Sequence, residues 1–164
     1  MANTEWRDIL NFLLGPPRVS AYRTTAVSTA TAVWARADLT GELYDSYGTA
    51  MHDTGTNPSR LVAPETMLYE CHASLRVEAN ATGLRGIAVC KQTAGTYDAL
   101  KLVKQETVTP AWSAAWFLGL STDVQLNAGE HVEMFGRQES GGALDMFGGG
   151  IGQTFMSLRG VTKQ

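Results

Sequence analysis

Between Met67 and Ala79 the chain reads MLYECHASLRVEA, and its side chains alternate without a break. Tyr69, Cys71, Ala73, Leu75 and Val77 fall on one face, and Glu70, His72, Ser74 and Arg76 on the other. A period of two over that length is the signature of a long β-strand with one face on a core. Shorter segments of the same kind follow: GLRGIAVCKQ, DALKLVKQETV, WSAAWFLGLSTDVQL, EHVEMFGRQ and QTFMSLRGV, with RVSAYRTTAV ahead of them. Turn signals separate them, at Asn80–Gly83, Thr93–Gly95, Asn127–Gly129 and the glycine-rich Ser140–Gly152. Many short strands at this spacing predict an all-β fold, a jelly-roll β-sandwich.

The first 17 residues follow another period. Trp6, Ile9, Leu10, Leu13 and Leu14 recur at helical spacing, and Gly15-Pro16-Pro17 stops the pattern. The expected organisation is therefore an amphipathic arm with a Gly-Pro-Pro hinge, residues 1–17, ahead of one sandwich domain, residues 18–164. A helix this short is marginal in water, so its apolar stripe must dock, on its own domain or on another chain.

In PAWSAAWFLGLS the alternation fails. Trp112, Ala114, Trp116, Leu118 and Leu120 make one face, while Ala115 and Phe117 spoil the polarity of the other. A sandwich strand apolar on both sides implies that a second subunit covers the outer one.

Composition narrows the function classes. Charged residues are 18% of 164, the net charge is -3, and no basic run occurs, so nothing asks for nucleic acid or an anionic membrane. Apolar runs fall short of the ~20 residues of a membrane span, and the N-terminus lacks the basic region of a signal peptide. Cys71 and Cys90 are too few for a disulfide scaffold and read as buried thiols. The sequon Asn80-Ala81-Thr82 matters only in a glycosylating compartment.

Four groups of residues are candidates for chemistry. His52, Asp53 and Ser59 lie in AMHDTGTNPSRLVAP, but adjacent His52 and Asp53 would point to opposite sides of an extended chain. Asp53, Thr54, Thr56, Asn57 and Ser59 are also the residue types that bond their own backbone in turns. His52, His72 and His131 lack metal-ligand spacing, and Asp38, Glu42, Asp45 and Asp53 match no calcium loop. An ion on a symmetry axis would require His72 from each copy to meet there. FGGGIGQTF is followed by a strand-like segment, not by the helix a phosphate loop requires. No catalytic, metal or cofactor residue is expected, and no enzymatic activity.

The order of these segments resembles the tumour necrosis factor/complement globular-head superfamily of trimeric jelly rolls. GELYDSYGTAMHDTGTNPSRLVAPETMLYECHASLRV is similar to its Tyr-Asp turn, short strand, proline and long strand. LNAGEHVEMF and QTFMSLRGV resemble two further strands of the pattern; Glu65-Thr66-Met67 departs from it by lacking a glycine. More narrowly, NFLLGPPRV, MHDTGTNPSRLVAP, ANATGLRGIAV and SGGALDMFGG resemble the version found in phage and prophage virion proteins. The resemblance implies a non-enzymatic homotrimer, made in the bacterial cytoplasm and carried on the virion. Without a fibre shaft, the expectation is a capsid decoration protein that grips the major capsid protein through Trp6, Ile9, Leu10, Leu13 and Leu14. Tyr69, His72, Trp112, Trp116, Phe117 and Phe155 are the expected core and trimer contacts. The alternative is a receptor- or glycan-binding fibre tip using loops Ala94–Tyr97 and Ser140–Gly150.

Overall fold

The structure, a computed structural model, describes Trp6, Leu10, Phe12, Leu13 and residues 15–146, 148–150 and 153–163. Twelve strands form two antiparallel sheets. The larger holds β1 (Arg18–Tyr22), β2 (Val27–Thr29), β4 (Gly41–Asp45), β6 (Met67–Val77), β9 (Trp116–Leu126), β11 (Leu144–Met146) and β12 (Phe155–Lys163). The smaller holds β3 (Trp34–Arg36), β5 (Arg60–Val62), β7 (Arg85–Lys91), β8 (Leu102–Val108) and β10 (His131–Gln138).

The alternating strand is the spine of the larger sheet. β6 pairs along its whole length with β9 on one side and, from Met67 to Ser74, with β12 on the other; the pairing then runs from β12 to β1 and from β1 to β4. Its odd-numbered side chains, Met67 to Val77, are all buried. They meet Ile87, Val89, Val132 and Met134 of the opposite sheet in one core. Burial at ~1.5–3 kcal/mol per large side chain fixes the register, because a one-residue slip would turn the whole set outward.

Three expectations change. Ser140–Gly152 is not only a connection: Leu144–Met146 pairs with β2 and touches β6. A three-residue strand is too short to show periodicity. DALKLVKQETV starts as a 3-10 turn at Ala99–Lys101, whose first N–H groups are capped by Asp98, before β8 begins. The Trp112 segment is a loop, and β9 begins only at Trp116. Pro110 removes a ladder donor just ahead of it.

No α-helical element is delimited among the described residues. Trp6, Leu10, Phe12 and Leu13 have helical backbone, whereas Ile9 and Leu14 lie outside the described residues. Phe12 is half-buried against the core, close to Pro17 and Gly160.

Candidate assembly face

The two outer faces of the sandwich differ in whether the protomer covers them. On the smaller sheet, Ala88, Cys90 and Phe135 point outward yet are fully buried. Tyr97 closes over Phe135 edge-on at 5.9 Å, and Trp34 stacks on Tyr97 at 4.6 Å. Beside this cap the side chain of Glu133 is also fully buried. It accepts from Ser59 Oγ at 2.6 Å, from Thr93 Oγ1 and from the Gly95 N–H at 3.1 Å, with His131 Nε2 3.7 Å away. Burial pushes its pKa up, but these contacts outweigh burial and leave it at about 2. Loop 93–97 thus seals this face with its own polar and aromatic groups.

The same network settles the first chemical candidate. His52 is buried, with Nδ1 3.3 Å from Glu42 and Nε2 3.3 Å from the Pro58 carbonyl. Asp53 is exposed and accepts from the N–H groups of Gly55 and Thr56. Ser59 is buried and donates its hydroxyl hydrogen bond to Glu133, with no imidazole between them. The three residues serve three different structural purposes, and a Ser-His-acid relay is not assembled. Asp45 completes the loop by accepting from Tyr47, Met51 and His52. No group of three or more potential metal ligands occurs among the described residues.

The larger sheet presents the opposite picture. Its outer face is a grid whose rows can be read from the registers. One row is Tyr22, Phe155, Ser74 and Gly119, on β1, β12, β6 and β9. The next is Ser20, Ser157, His72 and Ser121, with Tyr44 of β4 beyond Ser20. A third is Arg18, Arg159, Glu70 and Asp123. Small hydroxyl residues keep the centre low, and among the described residues no loop caps it as loop 93–97 does on the other side; Phe12, Leu13 and Pro16 stand only at its Glu70/Arg159 end.

Apolar groups rim this open face. Phe117 is 59% exposed and Trp112 63%. Tyr44 and Val161 are also exposed, and Phe155 is half-buried. Trp112 lies against Trp116, ring centres 5.5 Å apart, so the loop residue extends the apolar edge that β9 begins. Next to Glu70 and Arg159, a cleft of about 310 Å³ opens beneath Phe12, Leu13 and Pro16. Phe12, Leu13 and Pro16 therefore sit at the edge of the uncovered face.

The expected contact residues divide accordingly. His72, Phe117 and Phe155 belong to the open face and Trp112 to the exposed edge beside it, whereas Trp116 shares the inward side of β9 with Leu118 and Leu120 and packs against the core. Tyr69 does not: it is wholly buried in the protomer and donates its hydroxyl to the Glu65 carbonyl at 2.8 Å. It is a core residue, because odd-numbered positions of β6 point inward. Trp6, Leu10 and Leu13 are each more than half exposed. Glu133 and Thr93 were missed by sequence reasoning. The one available signal was a carboxylate set among Val132, Met134 and Phe135.

Comparison with solved structures fits this layout. Eiger TNF from S. frugiperda superposes with a TM-score of 0.64 at 12% identity, covering 92% of this chain and 96% of that one. Murine APRIL gives 0.65 at 11%, covering 90% and 100%. The globular domain of zebrafish complement 1qA gives 0.58 at 10%, covering 90% and 98%. The fold is the tumour necrosis factor/C1q jelly roll. No protein-family profile and no curated protein sequence matches the chain. At such identities the TNF/C1q likeness extends to the fold and leaves residue roles to be argued from this chain's own geometry.

Proposed function

We propose that this TNF/C1q-like jelly roll is a non-enzymatic virion protein, a homotrimer that decorates the capsid of a tailed phage. It is made in the bacterial host's cytoplasm and ends on the outer surface of the shell. The observation that carries the reading is the contrast between the two outer faces: one is sealed by the protomer's own loops, the other is left open with Phe117, Trp112 and Tyr44 in solvent. An apolar-rimmed, uncovered sheet face is a surface for a partner. The trimer packs that face, and the N-terminal segment with Trp6, Leu10 and Leu13 meets the major capsid protein. Three weak arms on one rigid body bind together far more tightly than one. The phage-specific part of the reading comes from the sequence resemblance around NFLLGPPRV and MHDTGTNPSRLVAP.

The fibre-tip alternative draws less support. Its loop Ala94–Tyr97 is occupied internally: Tyr97 is sandwiched between Trp34 and Phe135, and Gly95 donates to Glu133. Removal of residues 1–15 tests the proposal. The truncated protein should remain a trimer but no longer co-sediment with undecorated capsids of the encoding phage. Undiminished co-sedimentation would refute the arm's role, and binding of the trimer to host cells or glycans would favour the alternative.

A further inference from the structure

The third row of the open face carries information that a generic trimer contact does not require. Arg18, Arg159, Glu70 and Asp123 stand side by side on β1, β12, β6 and β9, all pointing outward. At ~4.8 Å per strand the row is about 14 Å long, basic over one half and acidic over the other. Its order is unfavourable in the lone protomer. Arg18 lies directly opposite Arg159, and Glu70 directly opposite Asp123, so two like-charge pairs face each other across adjacent strands. Alternation of sign would have been the self-satisfying arrangement.

The protomer compensates this only in part. Arg159 stands directly opposite Glu70 at the centre of the row, though not within ion-pair distance; Arg18 lies over the Tyr44 ring at 5.5 Å, and Glu70 is 3.3 Å from His72 Nε2. Arg159 and Asp123 make no ion pair among the described residues. Beside the row, Ser20, Ser157 and Ser121 are short enough to let another surface approach closely.

We propose that the row is the recognition element of the ring: Arg18 and Arg159 of one protomer pair with Glu70 and Asp123 of the next copy. This rests on the trimer proposed above and specifies how its subunits choose and orient one another. In a cyclic trimer each contact joins two different patches of the same chain. A face that is basic at one end and acidic at the other meets that condition with a single sequence. The like-charge neighbours are then each brought next to opposite charges in a partly dehydrated contact, where ion pairing is less screened than on a free surface.

The test is a charge-swap series followed by molar mass in solution, at low micromolar concentration and at two salt concentrations. Wild type should run at three chain masses and loosen as salt rises. R18E/R159E should dissociate, with an apparent dissociation constant raised about 100-fold, and E70R/D123R likewise. The fourfold variant R18E/R159E/E70R/D123R reverses the polarity of the whole row and should recover the trimer. Arg18, Arg159 and Asp123 are exposed, so circular dichroism should stay that of wild type. Wild type at one chain mass refutes the trimer itself. A wild-type trimer with either double variant equally trimeric, or with the fourfold variant still dissociated, refutes only the charge row.

Discussion

Glu133 shows what one residue can tie together. Its carboxylate joins β10, the Ser59 turn and loop 93–95, which are far apart in sequence. Because its pKa is depressed in the folded state to about 2, the folded protein binds fewer protons there than the unfolded chain, whose glutamate titrates near ~4.3. The stabilisation is therefore complete above about pH 5 and is lost as the pH falls toward about 2. Thermal melts between pH 6 and 2 should show this decline. Glu133→Gln should cost roughly 2–4 kcal/mol at neutral pH and flatten part of the acid limb. An unchanged pH profile would mean that the carboxylate is not held charged. The thiols supply a second residue-scale expectation. Burial pushes Cys71 up to about 12 and raises Cys90 as well, so neither should react with a thiol reagent at pH 8 until the protein unfolds. Rapid labelling of the native protein would contradict their placement. Asp53 was legible as a turn former, and it does accept from Gly55 and Thr56 close by. Ser59 bonding Glu133 was not legible, because periodicity carries no information about partners that distant.

At the scale of elements, the long strands announced themselves and the short ones did not. β6 is eleven residues of strict alternation, enough for the pattern to reveal both its existence and its inward face. β2, β3, β5 and β11 have three residues each, too few to show a period, and they exist because longer neighbours offer them hydrogen bonds. The double-sided character of β9 was legible in part: Leu118 and Leu120 do face the core and Phe117 does face outward, while Trp112 joins the rim from a loop. Phe117→Ser therefore should leave the protomer's melting behaviour within about 0.5 kcal/mol of wild type while weakening self-association. A large loss of stability with mass unchanged would place Phe117 in the fold and not in an interface. The turn at Gly83 makes a different kind of demand. Its φ is +74°, and an added Cβ would run into the Glu139 carbonyl. Gly83→Ala should destabilise by more than about 1 kcal/mol in chemical denaturation, since a backbone oxygen cannot step aside as a side chain can. A neutral result would show that the Asn80–Gly83 turn can move away from Glu139.

The molecule as a whole is a sandwich finished on one side only. Trp34, Tyr97 and the Glu133 network close the smaller sheet, whereas on the larger one the described residues Phe12, Leu13 and Pro16 stand only at one edge and Phe117 is left exposed. The sequence hinted at this through the broken polarity around Phe117, but not at the charge row, which emerges only when four strand registers are known. The open face is the surface on which the proposed trimer would form, with Phe12, Leu13 and Pro16 at its edge. The most direct measurement is the molar mass of the purified chain in solution by light scattering at physiological salt. The account predicts a single species at three times the 17.7 kDa chain mass. A well-behaved species at 17.7 kDa, with Phe117 and Trp112 reporting full solvent contact, would contradict it.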